Sequence, residues 1–504
     1  MICVSIACGS HKRMISEHQS LADDGVRLVE LRLDYLRKNP ELNRLLPDRP
    51  TQVVATVRRP QDGGKWHDSE EKRLTVLRET IASGVDFVDL EEDIASQIPR
   101  FGKTKRIISF HDHNDTPEDL DAIYQRMLQG DPDFMKIAVT PRTISDVIRL
   151  INFTKKKNEA NPKTPLIGIS MGEIGLASRI LAKKFGSPFT YATFSESRTI
   201  APGLIEYSKL RDFYRFEEID RDTEVFGVIG DPIGHSLSPL IHNAGFAQLE
   251  MNKIYLPFRL APSDLKEFIN RAPEIGVRGI SITIPHKVAA VDELTQFDPA
   301  VEEIGACNTM IFEGKERYGY NTDYVAATLA LEIAMGGSGV AENSPLIGKK
   351  ALVLGAGGAG KAIAYGLLQR TVKVTVADLD DQRAQRLAEQ LNCEYVDWEM
   401  RHAIPANLVA NCTPVGMHPK VNETPFDKAS MNQGMVVFDV VYNPENTLFL
   451  KNARAKGCTV VSGVEMFIGQ ACMQFKLFTG AKGPAGLMRK LIKNAISAIH
   501  EDED

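Results

Sequence analysis

Eight short apolar runs divide the first half of the chain, and their spacing constrains the fold more than any other feature. The runs lie at 2–7, 28–33, 52–57, 87–90, 106–110, 134–139, 166–171 and 189–194. Segments with helical periodicity lie between several of them, for example 70–82 and 117–128. The second of these opens with Thr116 as N-cap and Pro117 at the first helical position. Strand and helix that alternate eight times predict a (β/α)8 barrel.

Charged residues stand at the carboxyl ends of several runs, which is where a barrel of this kind carries its chemistry. In ELRLD, a period of two places Glu30, Arg32 and Asp34 on one face of the strand. The other charged residues within or close after predicted strands are Arg58, His111, Lys136 and Arg179. An apolar core would reject these groups, so together they predict one polar site at one mouth of the barrel.

Lys136 is the most informative of these residues because FMKIAV gives it apolar neighbours on both sides. We expect its amine to point into the barrel with no stabilising partner unless function keeps it there. A neutral amine in such a place condenses with a carbonyl group to form a Schiff base. His111, on a neighbouring strand, would then supply acid–base catalysis.

The second half carries the pattern of a dinucleotide-binding fold. An apolar strand at 352–354 runs directly into GAGGAGKA and a helical segment, and a further strand at 373–377 ends in Asp378. This order of elements predicts a Rossmann-like domain. Glycine is expected to serve the tight turn, the approach to the pyrophosphate and the packing of helix on strand at Gly355, Gly357 and Gly360.

Composition sets the broad class of the protein. A length of 504 residues predicts about three domains, and 43% hydrophobic with 25% charged residues is typical of globular proteins. A net charge of −6 argues against a nucleic-acid partner. The seven cysteines form no CxxC pair, and no apolar run of about 18 residues occurs. We therefore predict a cytoplasmic protein with reduced thiols, without a membrane span and without a metal.

The barrel segment resembles type I 3-dehydroquinate dehydratases over roughly residues 1–215, through ELRLD, SFHD, MKIA and ISMGEIGLASR. The resemblance implies that Lys136 forms an imine with the substrate ketone of 3-dehydroquinate, and that His111 removes the adjacent proton and assists the loss of water. It assigns substrate binding to Glu30, Arg32, Arg58, Arg179 and Asp62, the last where the family usually has Glu.

One loop departs from that family. Where its members commonly read Ser-Ala-Pro-Gly-Gln, this chain has Ile200 to Leu204, so Leu204 replaces a glutamine that helps to bind substrate. Losing such polar contacts costs about 1 to 3 kcal/mol, which would weaken binding without removing the Schiff-base chemistry. Thr199 is a candidate to compensate for the loss.

The second half resembles shikimate dehydrogenase through GVIGDPIGHSLSPLIHN at 227–243, SITIPHK at 281–287 and GAGGAG at 355–360. The resemblance implies that Lys287 and Asp323 form the catalytic pair of a proton relay. It assigns 3-dehydroshikimate binding to Ser236, Ser238, Thr283, Asn308, Tyr442 and Gln470. It assigns cofactor binding to Gly355, Ala356, Gly357, Gly358, Gly360, Asp378 and Thr413. Ser281 stands where the family often has Asn.

The end of the second Rossmann strand predicts cofactor preference. Shikimate dehydrogenases that prefer NADP typically carry Asn-Arg-Thr there, whereas this chain has Asp378, Leu379 and Asp380. An aspartate accepts hydrogen bonds from a free ribose 2'-hydroxyl and repels a 2'-phosphate, so NAD is expected to be used at least as well as NADP. Arg383 is the one nearby residue that could restore NADP binding.

These patterns predict three domains: a barrel at 1–217, a substrate domain at 224–324 completed by 460–500, and a Rossmann-like domain at 325–459. A charged linker lies near 217–224. The predicted function is bifunctional, with dehydration of 3-dehydroquinate followed by NAD(P)H-dependent reduction of 3-dehydroshikimate to shikimate. Three alternatives stay open: an impaired barrel fused to the dehydrogenase, a quinate dehydrogenase, and a metabolite-sensing regulator without catalysis.

Overall fold

A computed structural model of the chain describes residues 1–195, 198–234, 236–337 and 341–501. The chain forms two compact units. The first contains Met1–Val225 and Asn252–Gly276, and the second contains Phe226–Met251 and Val277–Asp504.

The structure contains both strands and helices throughout. The strands are β1 (Ile2–Ile6), β2 (Leu28–Arg32), β3 (Gln52–Thr56), β4 (Phe87–Glu91), β5 (Lys105–Asp112), β6 (Phe134–Val139), β7 (Leu166–Ser170), β8 (Thr190–Thr193), β9 (Ile205–Glu206), β10 (Glu224–Gly230), β11 (Lys253–Arg259), β12 (Val277–Ile282), β13 (Gln296–Phe297), β14 (Thr309–Glu313), β15 (Glu316–Tyr320), β16 (Lys350–Leu354), β17 (Lys373–Ala377), β18 (Glu394–Tyr395), β19 (Leu408–Asn411), β20 (Val436–Asp439) and β21 (Thr459–Val461). The α-helices are α1 (His11–Asp23), α2 (Leu42–Leu45), α3 (Glu70–Ala82), α4 (Leu120–Gln129), α5 (Ile144–Ala160), α6 (Leu176–Ile180), α7 (Ser238–Gln248), α8 (Leu265–Arg271), α9 (Pro299–Ile304), α10 (Asp323–Ala334), α11 (Gly358–Leu368), α12 (Asp381–Leu391), α13 (Leu448–Ala455), α14 (Gly463–Thr479) and α15 (Ala485–Glu501).

The first unit contains the predicted barrel, and all eight predicted strands are present as β1 to β8. The parallel sheet follows the order β7-β6-β5-β4-β3-β2-β1-β8, and β1 pairs with both β2 and β8. The Gly172 amide donates to the Pro202 carbonyl at 3.0 Å, which joins the loops that follow β7 and β8. Alternate residues of the strands fill the interior with apolar side chains, among them Cys3, Leu28, Val54, Ile107 and Ile167.

Two helices test the predicted boundaries. Helix α3 has the predicted bounds, and the Ser69 hydroxyl caps it by accepting from the Lys72 amide. The prediction of Thr116 as the cap of the next helix was wrong. Helix α4 begins at Leu120 because the Asp119 carboxylate accepts from the Ala122 amide at 2.8 Å. The Thr116 hydroxyl instead donates to the carbonyl of Thr140, so the predicted first turn is part of the preceding loop.

The second unit contains two sheets. The first has β10, β12, β14, β15 and β13 in that order, with β14 antiparallel to both of its neighbours. The second is entirely parallel, in the order β18-β17-β16-β19-β20-β21. Helices cover both of its faces: Val353 packs towards α11, and Leu352 packs towards α13. Burial on both faces explains why 352–354 is continuously apolar, and the predicted Rossmann-like arrangement is confirmed.

The described residues were compared with what a membrane span or a metal site requires. Helices that combine the length and apolarity needed to cross a bilayer were not found among them, and neither were clusters of three or more potential metal ligands. All seven cysteines are free thiols.

Two candidate active sites

The β2 strand carries the first two polar residues into the barrel. The Glu30 carboxylate accepts hydrogen bonds from the hydroxyls of Ser5 and Thr56, at 2.6 and 2.8 Å, on the two neighbouring strands. The Arg32 guanidinium makes a two-pronged ion pair with Asp34, at 2.9 and 2.8 Å. β2 ends at Arg32, so Asp34 lies in a 3-10 turn and not on the strand as predicted. It is held there because the Lys65 amide also donates to it.

Lys136 lies inside the barrel on β6, but it is paired. Its ammonium group donates to the Asp89 carboxylate on β4, which also accepts from Arg58 at 2.7 Å and from Ser109 at 2.6 Å. The expectation that Lys136 has no stabilising partner was therefore wrong. Burial alone would raise the pKa of Asp89, but Arg58 and Lys136 outweigh it and the pKa is lowered. A charged pair is tolerated in this interior because each member has several partners.

Arg58 extends the same network. It follows β3, and its guanidinium also donates to Glu91 and Ser109, each at 3.0 Å. Glu91 in turn accepts from Arg73, which is fully buried on α3. Burial opposes the charge on Arg58, yet the carboxylates of Asp89 and Glu91 raise its pKa. Next to Lys136, acidic and basic side chains therefore alternate in one connected hydrogen-bond network.

Sequence reasoning missed Asp89 and Glu91. The signal was present in FVDLE, where a period of two places Phe87, Asp89 and Glu91 on one face of the strand, against Val88 and Leu90. The signal is weak because the run 89–93 is acidic apart from Leu90, and such a run is also typical of a solvated strand end.

His111 lies close to this network at the end of β5. Ser109 is opposite Lys136 in the pairing of β5 with β6, and His111 is two residues further along the same face. Burial lowers the pKa of His111 well below 6.5, and Arg58 and Lys136 add to the effect. Its Nδ1 atom has no hydrogen-bond partner in the described part of the chain. The imidazole is therefore a neutral base with an unused nitrogen beside a buried amine.

Among the described residues, Arg179 has hydrogen-bond donors free for a ligand, whereas Asp62 is engaged by another side chain. Arg179, on α6, is 3% exposed, and burial lowers its pKa to about 10. Its guanidinium makes a long contact, 3.4 Å, with the Pro202 carbonyl, and its Nε has no partner within the described residues. A buried guanidinium with donors to spare is suited to a carboxylate ligand. Asp62, by contrast, lies in a 3-10 turn and pairs with Arg59 at 2.7 Å.

The loop that departs from the family lies beside this site. Leu204 packs against the apolar cluster of the barrel interior, which includes Met171 and Tyr191. The side chain that replaces the expected glutamine therefore makes an apolar wall. Compensation by Thr199 stays a prediction.

In the second unit, Lys287 and Asp323 meet as predicted. The Lys287 ammonium donates to the Asp323 carboxylate at 2.6 Å, and their side chains are 17% and 5% exposed. Lys287 follows β12, and Asp323 is the first residue of α10, where the Asn321 side chain accepts from its amide. Lys287 is thus partly open to solvent, whereas Asp323 is buried beside it.

A neutral hydrogen-bond network surrounds this pair. The Asn308 side-chain amide donates to the Thr322 hydroxyl at 2.9 Å. The Oδ1 atom of Asn308 accepts from the Thr322 backbone amide and from the Thr309 hydroxyl. Gln474, on α14, donates to Thr309 and accepts from Ser281 at 2.8 Å. Ser281 therefore keeps a polar contact in spite of its departure from the family. Gln474 was missed, although it lies one helical turn after Gln470.

The remaining predicted substrate residues lie on neighbouring segments of the second unit. The Thr283 amide donates to the Ile229 carbonyl, and Ser236 accepts from the amide of Ser238, the first residue of α7. Tyr442 stacks on Phe467, with ring centroids 4.6 Å apart. Gln470 is buried and donates to the Phe467 carbonyl.

The glycine-rich loop has the predicted geometry. Gly355 has a φ of +103°, and a Cβ at Gly360 would lie 1.8 Å from the Gly355 carbonyl oxygen, so both positions require glycine. A Cβ at Gly357, by contrast, would meet nothing within 4 Å, which leaves room for a ligand. A Cβ at Gly358 would touch the Lys287 side chain at 3.0 Å. The loop and Lys287 therefore border the same space.

Asp378 and Thr413 border this loop. The Asp378 carboxylate accepts from the amides of Ala356 and Asp380, at 2.6 and 2.9 Å. Thr413 donates to Asn411, which is tied to the buried Asp439 at 2.9 Å. Burial raises the pKa of Asp439 to about 6, although hydrogen bonds from Thr447, Val441 and Asn411 oppose the shift.

Comparison with known proteins matches both halves of the chain. The model of type I 3-dehydroquinase matches residues 2–221, that of the shikimate dehydrogenase substrate-binding domain matches 228–310, and that of the shikimate 5'-dehydrogenase C-terminal domain matches 463–493. A chloroplastic bifunctional 3-dehydroquinate dehydratase/shikimate dehydrogenase of Arabidopsis thaliana is 38% identical, over 97% of this chain and 83% of its own length. The chain belongs to this bifunctional dehydratase/dehydrogenase family.

Relatives of the dehydrogenase half alone are also similar. A shikimate dehydrogenase (NADP(+)) of Methanosarcina acetivorans is 38% identical over 54% of this chain and 99% of its own length. A crystal structure of a shikimate dehydrogenase in complex with NADP+ is 32% identical, with a TM-score of 0.51, and covers 55% of this chain and 97% of its own. The bifunctional dehydratase/dehydrogenase assignment thus confirms both resemblances. It does not test the predicted cytoplasmic compartment.

Proposed function

We propose that Lys136 and Lys287 carry the two successive reactions of this bifunctional enzyme. In the barrel, the Lys136 amine attacks the ketone carbon of 3-dehydroquinate and forms an imine as water leaves. His111 then takes a proton from the adjacent carbon, and elimination of a hydroxyl group as water gives the alkene. Hydrolysis of the imine releases 3-dehydroshikimate and restores the amine.

The observation that carries the dehydratase half is the grouping of Lys136 with His111, whose Nδ1 has no partner among the described residues. Asp89 accepts from the Lys136 ammonium, so the amine must give up a proton before it attacks. His111 has a lowered pKa and stays neutral, ready to accept a proton. The buried Arg179 is suited to the substrate carboxylate. We assign the hydroxyl contacts to Glu30, Arg32 and Arg58, and leave Asp62 with a secondary part because Arg59 holds it.

In the second unit, we assign the proton transfer to the Lys287–Asp323 pair. The glycine-rich loop at 355–360, with Asp378 and Thr413, would hold a reduced nicotinamide cofactor, which would supply a hydride for the reduction. Lys287 gives a proton to the oxygen that becomes a hydroxyl, and Asp323 holds the lysine in place at 2.6 Å. Substrate contacts are assigned to Ser236, Ser238, Thr283, Asn308, Tyr442 and Gln470. The predicted domain limits at 1–217, 224–324 with 460–500, and 325–459 belong to the same proposal.

We further propose that NAD is accepted at least as well as NADP. Asp378 keeps a carboxylate at the edge of the cofactor loop, where it repels a 2'-phosphate. Leu379 is 72% exposed and offers no positive charge. Arg383 lies 4.0 Å from Asp380, which neutralises part of its charge. The NADP named for relatives is a property of those proteins.

The metabolite-sensing alternative is not favoured, because a sensor needs neither a buried lysine beside a neutral histidine nor a second lysine–carboxylate pair. The impaired-barrel alternative rests on Leu204 alone. A cytoplasmic location, supported by the seven free thiols, is part of the proposal.

The test is a coupled assay on the full chain. 3-Dehydroquinate and either NADH or NADPH are added, and loss of reduced cofactor is followed for the wild type, for Lys136→Ala and for Lys103→Ala, which replaces an exposed lysine. We expect turnover in the wild type and in Lys103→Ala. Lys136→Ala should show turnover only after 3-dehydroshikimate is added. Turnover of 3-dehydroquinate by Lys136→Ala would contradict the assignment.

A further inference from the structure

One buried polar group in the barrel has no part in the chemistry described so far. Tyr191 lies on β8 and is 5% exposed, and its hydroxyl has no hydrogen-bond partner in the described part of the chain. A buried hydroxyl without a partner destabilises the folded state, and such groups are rare in native proteins. Where one persists, its partner is often a ligand.

The surroundings of Tyr191 explain why no side chain pairs with it. Its ring makes an edge contact with Phe189 at 5.5 Å, and Leu204 packs against the same apolar cluster. The charged groups that act on it electrostatically include Glu30, Asp89 and Arg58. Each of these is already engaged: Glu30 with Ser5 and Thr56, and Asp89 with Arg58, Ser109 and Lys136.

The position of the ring relative to the Schiff-base lysine is specific. The Lys136 Nζ atom lies over the Tyr191 ring, 4.9 Å from its centroid. Because the hydroxyl is fixed to this ring, it lies in the same part of the barrel interior as Nζ. Burial also raises the pKa of Tyr191 well above 10, so the phenol keeps its proton and remains a donor at neutral pH.

We propose that the Tyr191 hydroxyl donates a hydrogen bond to the oxygen on the substrate carbon that Lys136 attacks. This inference rests on the proposed role of Lys136. As the C–N bond forms, the electron pair of the C=O double bond moves onto that oxygen, and the hydroxyl stabilises the charge. The nitrogen loses two protons and the oxygen gains two, so the oxygen leaves as water. Tyr191 keeps its own proton throughout.

The test is Tyr191→Phe in the full chain, which removes the hydroxyl and keeps the ring under Lys136. We expect kcat/KM for 3-dehydroquinate dehydration to fall about 10- to 100-fold. The rate at which borohydride traps substrate on Lys136, measured by mass spectrometry in a single turnover, should fall by the same factor. Reduction of 3-dehydroshikimate by the same polypeptide should be unchanged.

Two measurements exclude a simple loss of structure. The melting temperature of the barrel should be equal to or above that of the wild type, because an unpaired hydroxyl is removed. Tyr214→Phe, at a second buried tyrosine of the first unit, should leave the trapping rate unchanged.

A wild-type trapping rate in Tyr191→Phe would overturn the inference, as would an equal fall in Tyr214→Phe. If the wild type itself gave no adduct on Lys136, the proposed function of that lysine would fail instead, and this result differs from both.

Discussion

The two candidate sites both contain a lysine paired with an aspartate, but the surroundings of the pairs differ. Lys136 and Asp89 lie within a buried network of alternating charges that continues through Arg58, Glu91 and Arg73. Lys287 is partly open to solvent, Asp323 is buried beside it, and neutral amides and hydroxyls border the pair. The same type of ion pair, lysine with aspartate, therefore occurs in two different environments, each suited to a different reaction. Under the proposed roles, the lysine that bonds carbon is shielded from water, and the lysine that exchanges protons keeps access to it.

Removing each lysine should separate these roles most strongly. Lys136→Ala removes the atom that bonds the substrate, so we expect dehydratase kcat to fall by about 10⁴-fold or more. Lys287→Ala removes a proton donor while hydride transfer stays possible, and a loss of about 10²- to 10⁴-fold is expected in dehydrogenase kcat. Each activity is measured separately with its own substrate, with Lys103→Ala and Lys315→Ala as exposed controls. If Lys136→Ala lowered dehydratase kcat by the same factor as Lys287→Ala lowered dehydrogenase kcat, the proposed difference between the two lysines would not hold.

Replacing the aspartates should reveal the difference in stability. Asp89→Asn leaves the buried charges of Lys136 and Arg58 poorly balanced, so we expect the barrel to lose about 3 to 5 kcal/mol of unfolding free energy. Asp323→Asn leaves Lys287, which is 17% exposed and can be hydrated, so the loss should be smaller, about 1 to 2 kcal/mol. Urea unfolding followed by circular dichroism measures both. If the barrel of the Asp89→Asn variant were as stable as that of the wild type, the charge network would contribute nothing to stability.

Asp439 in the second unit and His111 in the barrel should contribute to stability with opposite pH dependence. The pKa of Asp439 is raised to about 6 in the folded protein, so its contribution to stability is full below the unfolded value of 3.8 and is lost as pH rises towards 6. The loss amounts to about 3 kcal/mol. The pKa of His111 is lowered in the barrel, so the unfolded chain binds a proton first and the barrel loses stability as pH falls below 6.5.

Calorimetry between about pH 4 and 7, the range in which these groups titrate, tests this prediction. Measured relative to the wild type, Asp439→Asn should gain stability as pH rises, and His111→Asn should lose it, because these differences cancel the contributions of other buried histidines such as His18 and His242. If the two differences changed in the same direction with pH, the contrast would be wrong.

The smallest expected effect concerns the cofactor. Leu379→Arg places a cation at an exposed position beside Asp378, and we expect kcat/KM with NADPH to rise about tenfold relative to NADH, or about 1.4 kcal/mol. Leu379→Gln, of similar length without charge, is the matched control. Steady-state rates with both cofactors supply the ratio. An unchanged ratio in Leu379→Arg would indicate that the charge at position 379 does not influence the choice of cofactor.

Local patterns predicted much of this structure. The eight barrel strands, helix α3, the Rossmann-like sheet and the approach of Lys287 to Asp323 follow from periodicity and motif. The errors arose where partners compete or lie far apart in sequence. Asp119 replaced Thr116 as a cap because its carboxylate lies next to the first helical turn. Asp89 is 47 residues from Lys136, and Gln474 is 193 residues from Ser281, so periodicity carries no information about either contact.

That last contact also affects how the protein is made. The barrel strands are complete once Thr193 has been synthesised, so the barrel core can assemble while the ribosome is still translating the second half. The sheet that carries Ser281 must wait for Gln474, almost two hundred residues later. During translation, the barrel core can therefore fold before the dehydrogenase half. The Ser281 contact of that half forms only after helix α14 has left the ribosomal exit tunnel.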